Sequence, residues 1–72
     1  MFYYIVFSEV LHSDEIGQYI SFGIQVQDAN GHVIISISDV STDQSFVSNI
    51  CDECNSGALD PVHLMDIIED RL

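Results

Sequence analysis

Residues 19–39 read Tyr19-Ile20-Ser21-Phe22-Gly23-Ile24-Gln25-Val26-Gln27-Asp28-Ala29-Asn30-Gly31-His32-Val33-Ile34-Ile35-Ser36-Ile37-Ser38-Asp39, two apolar-polar alternations around Asn30-Gly31. Asn-Gly is a strong hairpin signal, because a type I′ turn needs positive φ at both central positions and these two residues tolerate it best. With Asn30 and Gly31 as the loop, Ala29 faces His32, Asp28 faces Val33, Val26 faces Ile35 and Ile24 faces Ile37. Directly opposed residues of an antiparallel pair point to one side. Ile24, Val26, Ile35 and Ile37 therefore share a face. Tyr19, Ser21, Gly23, Gln25, Gln27, Ser36 and Ser38 share the other, with Ile34 the exception. A slip of one residue would reverse every side chain. A longer loop through Asp28 and Ala29 gives the same fold.

Outward from this hairpin, residues 2 to about 12 read as a first strand rich in aromatic and β-branched residues. Both of its sides are apolar: Tyr3, Ile5 and Phe7 on one, Phe2, Tyr4, Val6 and Val10 on the other. Such a strand is covered on both sides or lies in an interface. Ser13-Asp14-Glu15-Ile16-Gly17 is a turn-rich link. The second strand follows to about Asp28, and the third runs from about His32 to Asp39. Short links predict an antiparallel meander.

The period then becomes helical. Ser41-Thr42-Asp43-Gln44 fits a capping box with Ser41 as the cap and Thr42 as its rival. Phe46, Val47, Ile50, Cys51 and Cys54 form one apolar stripe. Asn55-Ser56-Gly57 ends the helix, with Gly57 suited to the left-handed position. Asp60-Pro61 then starts a second helix, lined by Leu64, Met65, Ile68 and Leu72 with help from Ile67. The expected fold is a single α+β domain over residues 1–72. It is a three-stranded antiparallel meander followed by two short helices packed on one side of the sheet, over Ile24, Val26, Ile35 and Ile37. The other side is expected to stay open, with Ile34 and part of the first strand exposed.

Seventy-two residues lie near the lower limit for folding alone, where only about 60% of the unfolded surface is buried. Little room is left for a deep, water-excluded site. A hydrophobic fraction of 47% excludes a disordered acidic tail. Twelve acids against Arg71 alone give a formal charge of −11. That balance argues against nucleic acid, whose phosphates call for clustered Lys and Arg, and against anionic membranes. It permits a basic protein partner, divalent cations or mimicry of a nucleic-acid backbone. Scattered acids also serve solubility. The apolar start is short and lacks a basic n-region and a cleavage site, so no signal peptide is expected. Nothing approaches a membrane span. A cytoplasmic location is the expectation, with which two close cysteines are compatible.

Tyr19-x-x-Phe22-Gly23-Ile24-x-Val26-x-Asp28-x-Asn30-Gly31, then Ile37-x-Asp39-Val40-Ser41-Thr42-Asp43, then Cys54-Asn55 and Leu59-x-Pro61-x-His63-Leu64-x-Asp66-x-Ile68-Glu69-Asp70-x-Leu72, resembles a family of short bacterial proteins of unknown function. The family occurs mainly in clostridia-like Gram-positive bacteria. The resemblance covers nearly the whole chain. It implies a freestanding cytoplasmic domain and brings no activity, ligand or catalytic residue with it.

The chemistry-bearing residues have plain alternatives. Cys51-Asp52-Glu53-Cys54 has redox spacing, but a reactive thiol sits at a helix N-terminus, whereas this pair sits late in its helix beside two acids. A zinc site needs two further ligands. His63 is the nearest candidate, ahead of His12 and His32, and no second cysteine pair is present. Two core cysteines are the expected reading. His63, three residues after Asp60, has a base-and-carboxylate spacing, but no serine lies in a nucleophile elbow, and a capping arrangement, or packing beside the sheet, is preferred. Asp39, Asp43, Asp52, Glu53, Asp66, Glu69 and Asp70 do not match a calcium loop. GxGxxG and P-loop motifs are absent. No catalytic, cofactor-binding or metal residue is therefore assigned, and no cofactor. Phe2, Tyr3, Tyr4 and Phe7 read either as strand core or as a partner-binding patch. The expected function is a non-enzymatic interaction or structural module that self-associates, as a homodimer, through the first strand or the open side of the sheet. A separate protein partner is compatible with it. The alternative is an acidic regulator that blocks a basic nucleic-acid-binding surface.

Overall fold

The computed structural model describes residues 1–72. Strands β1 (Tyr3–Ser13), β2 (Gly17–Gln27) and β3 (Val33–Ser41) form one antiparallel sheet in the order β1-β2-β3. Helices α1 (Gln44–Ser56) and α2 (Leu64–Arg71) follow, the second after a 3₁₀ turn over Pro61–His63. This is the expected α+β arrangement of three strands and two helices. Val26 pairs with Ile35 and Ile24 with Ile37, as the alternation predicts.

The turn between β2 and β3 differs from the expected type I′. Gly31 has φ +84° while Asn30 stays at negative φ. Gly31 N–H donates to the Asp28 carbonyl at 3.0 Å, and Asp28 N–H donates to the His32 carbonyl at 2.9 Å. The loop is thus the longer one, a turn followed by a left-handed glycine. Asp28 is the cause. Its Oδ1 accepts from the amides of Asn30 at 2.9 Å and His32 at 3.0 Å, two donors that would otherwise be unpaired. Val33 consequently faces Gln27 rather than Asp28, and a bulge restores the register at Ile35.

The first helix also starts later than expected. β3 stays extended to Ser41 because Ser41 still pairs with Phe22. The cap is therefore Asp43, not Ser41 or Thr42, and its carboxylate accepts from Ser45 and Phe46 N–H. Ser41 Oγ instead accepts from Asp43 N–H at 3.0 Å. At the far end Gly57 is right-handed, φ −86°, and Ala58 takes the left-handed place at φ +48°. Leu59 N–H donates to the Cys54 carbonyl and Ala58 N–H to the Asn55 carbonyl. These are the two bonds of a Schellman ending, which sets the left-handed residue one position beyond Gly57. Ala58→Gly is expected to stabilise the protein by about 0.5–1 kcal/mol, because glycine adopts positive φ without a Cβ clash. Urea denaturation checks this, and a loss of stability would contradict it.

Asp60 caps the 3₁₀ turn through Val62 N–H, with Pro61 following it. Leu64 and Ile68 of α2 are buried and Ile67 is half-buried. Met65 and Leu72, expected in the same stripe, are exposed. Met65 is rotated about 100° from Leu64 around the helix, and Leu72 lies past its end.

The core joins Tyr4, Ile24 and Val26 of the sheet to Val47, Ile50, Cys51 and Cys54 of α1 and Leu64 and Ile68 of α2. Tyr4 ties the layers together. Its hydroxyl donates to the Leu59 carbonyl at 2.7 Å, its N–H donates to Asn55 Oδ1 at 2.8 Å, and Asn55 Nδ2 donates to its carbonyl at 2.9 Å. Burial, and then Cys54 and Asp60, push the Tyr4 phenol up to about 12, so it stays a donor. Pairing of β2 with β3 stops at Phe22 and Ser41. Beyond it, residues 9–13 and 17–21 continue as a two-stranded arm. On the side of the sheet that carries the helices, the arm leaves Val10 and Ile20 67% and 60% exposed, directly opposite each other.

Candidate functional site

The candidate site is the sheet side away from the helices, together with the β1 edge. Two-residue alternation sends Tyr3, Ile5 and Phe7 of β1 to this side, beside Gln27, Gln25 and Gly23 of β2. Tyr3 and Ile5 are 47% and 40% exposed. The ring of Phe7 lies over Gly23, where a side chain on residue 23 would otherwise stand. Ser36 faces Gln25 from β3, and Val33 and Ile34 are exposed at the bulge. The sheet side from Tyr3 to Phe7 therefore carries no charged group, in a chain with twelve acids. Here the sequence expectation of an open side with Ile34 and part of the first strand exposed is met.

A polar network closes one end of this surface. Ser21, fully buried, donates its hydroxyl to Asp39 Oδ1 at 2.6 Å and lies 3.2 Å from the Ser41 carbonyl. Tyr19 donates its hydroxyl to Asp39 Oδ2 at 3.1 Å. Glu9 spans β2, and its Oε2 accepts from Ser38 Oγ at 2.7 Å and from Asp39 N–H at 2.8 Å. Asp39 itself sits at φ +55°, in the irregular stretch of β3 opposite Gly23. Desolvation, and then the bond to Asp39, raise the Tyr19 phenol, which holds it as a donor. The bonds pin a left-handed aspartate and orient Glu9 away from the β1 edge. Each hydroxyl donates to a carboxylate, and the network braces the bulge around the fully buried Ser21. Sequence reasoning did not find this cluster, although Glu9 stands out as the lone acid inside an apolar strand.

The residues singled out by motif lie elsewhere. Cys51 and Cys54 are free thiols buried on the inner side of α1. Burial pushes the Cys51 thiol up to about 11, with Cys54 and Asp52 adding to it. Burial and Glu53 also raise Cys54, against a smaller lowering by Arg71. Such thiols are poor nucleophiles. His63 is exposed at the start of α2 and makes no side-chain capping bond. The structure does not gather it with the two cysteines, and no three His, Cys, Asp or Glu side chains converge as a metal-binding group. His12 is exposed on the arm, and His32 Nδ1 lies 3.5 Å from Asp28 Oδ2 in the loop. Among the acids, the carboxylates of Asp28, Asp43 and Asp60 accept from nearby backbone amides and that of Glu9 from Asp39 N–H, Asp39 accepts from Ser21 and Tyr19, and Glu53 pairs with Arg71. No pocket opens on the surface. No helix is long and apolar enough to cross a membrane.

Comparison with known families bears out the sequence resemblance. A family of unknown function (DUF6514) matches residues 1–72. No curated protein and no solved structure matches the chain.

Proposed function

The chain belongs to this family, and we propose that it works as a non-enzymatic interaction module that self-associates through its first strand. One observation carries the reading. β1 is an edge strand with apolar side chains on both sides, yet the helices cover only the side and end around Tyr4 and Val6. Tyr3, Ile5 and Val10 are left in solvent on a domain with few residues to spare. Glu9 is its one acid, and that carboxylate is tied to β3. A homodimer is the proposed form, in the cytoplasm, with room for a further protein partner.

Self-association must bring together two bodies of formal charge −11. Raising salt from about 0.01 M to 0.15 M shortens the screening length from about 30 Å to 8 Å. Dimerisation is therefore expected to tighten severalfold over that range. Sedimentation equilibrium on the untagged protein checks it; a strict monomer at millimolar concentration in 0.15 M salt would overturn the reading.

A second reading rests on the charge itself. Arg71, the only Lys or Arg in the chain, is already paired with Glu53, so the outward field is set by acids. An acidic regulator that occupies a basic, nucleic-acid-binding surface would use that field. Its salt dependence has the opposite sign: capture of basic proteins weakens as salt rises, whereas self-association strengthens.

A further inference from the structure

Resting on the self-association reading, we infer that the β1 edge pairs antiparallel with the β1 edge of a second copy, with Glu9 on the two-fold axis. The two edges of the sheet are not equivalent. β3 is interrupted twice, once at Val33–Ile34 and once around the left-handed Asp39. Bulges of this kind spoil an edge for pairing. β1 runs eleven residues against β2 without a register shift. It is the flat edge, and it carries neither proline nor lysine.

Asn55 then sets where pairing can begin. Its side-chain amide bonds both the N–H and the carbonyl of Tyr4, as a neighbouring strand would. Tyr4 thus points its backbone groups away from β2. The two-residue period directs those of Val6, Ser8, Val10 and His12 the same way. These four residues form the outward run of β1 beyond the Asn55 plug, and no strand lies beside them. The run is bounded by the plug on one side and by the turn after Ser13 on the other, and its midpoint is Glu9.

Symmetric pairing about Glu9 uses the whole run. Val6 meets the second copy's His12, Ser8 meets its Val10, and Phe7 meets its Leu11 on the open side. Shifting the axis to Ser8 would drive His12 into the place Asn55 occupies beside Tyr4. Shifting it to Val10 would leave Val6 unpaired. Like charges directly opposed across strands are unfavourable, but each Glu9 carboxylate is already drawn across β2 to Ser38 and Asp39. A two-fold axis normal to the sheet keeps both helix layers on one side. It sets each arm, with its bare Val10 and Ile20, beside the helix layer of the other copy.

Two variants test the pairing, read by sedimentation equilibrium with circular dichroism as the check on folding. Ser8→Pro removes an outward N–H, which the single chain does not use for its sheet, and proline is tolerated on an edge in that orientation. It is expected to stay folded and to weaken dimerisation about 100-fold, through two symmetry-related hydrogen bonds. Ser36→Pro, on the β3 edge, is expected to leave the dimer intact. Glu9→Cys places two thiols across the axis, where facing α-carbons lie about 4.5 Å apart, within disulfide reach. It should yield a disulfide-linked dimer on oxidation with diamide, Cys51 and Cys54 being buried. A dimer that survives Ser8→Pro, or a Glu9→Cys dimer that does not cross-link, would overturn the edge pairing. The self-association reading would then stand, with the open side as the contact. A wild-type chain that is monomeric throughout would overturn both.

Discussion

Gly23→Ala is expected to cost about 3 kcal/mol, most of the stability of a domain near the low end of the usual 5–15 kcal/mol range. Gly23 is buried in the middle of the central strand at an ordinary negative φ, so its role is spatial, not conformational. A Cβ there would collide with the Ile37 carbonyl oxygen and would lie 2.5 Å from Cζ and 2.7 Å from Cε1 of Phe7. The ring of Phe7 has room to swing outward. The carbonyl does not, because Ile37 is held opposite Ile24 in the sheet. Relief therefore requires β3 to move away from β2, which loosens the row Val6, Ile24 and Ile37 beneath the helices. Urea denaturation followed by circular dichroism reads the effect. Phe7→Ala combined with Gly23→Ala separates the two collisions: it should recover only the part due to the ring. A Gly23→Ala protein within 0.5 kcal/mol of wild type would show that the sheet accommodates the methyl and that this packing account is wrong.

The same region shows where sequence reasoning reaches and where it stops. Val26 against Ile35 and Ile24 against Ile37 were legible because the alternation leaves only one register that puts all four on the side the helices cover. The turn type was not, since it depends on one Asp28 carboxylate oxygen competing for two amides. Nor was the Asp43 cap. Ser41 remains a strand residue because Phe22, nineteen positions earlier, pairs with it, and a local capping pattern contains no such information. The Glu9, Ser21 and Asp39 network needs three strands and a bulge to bring it together. The bare arm follows from a mismatch of lengths. Eleven strand residues extend about 36 Å, whereas the thirteen of α1 extend about 20 Å. One helix layer cannot cover the sheet end to end, and hydrophobic patterning alone does not say which end goes without.

That mismatch makes two isoleucines on one side of β2 behave oppositely. Ile24 is fully buried between Val6 and Ile37 under α1, while Ile20, four residues earlier on the same side, is 60% exposed on the arm. Ile24→Ala removes buried aliphatic carbon from a site where the strands hold the walls apart. A cost of about 3–4 kcal/mol is expected, transfer and cavity together. Ile20→Ala removes the same atoms from a position already in water, and in the isolated chain it should change stability by less than about 0.5 kcal/mol. The comparison is made at concentrations low enough to keep the protein monomeric, by thermal and urea unfolding of both variants. Equal losses would mean that the arm is packed in solution, and the one-ended helix layer would have to be abandoned. If instead the Ile20→Ala loss stays small when the protein is dilute and grows as concentration rises, the side chain is buried by association. The apolar surface that folding leaves open would then be the surface that a second copy closes.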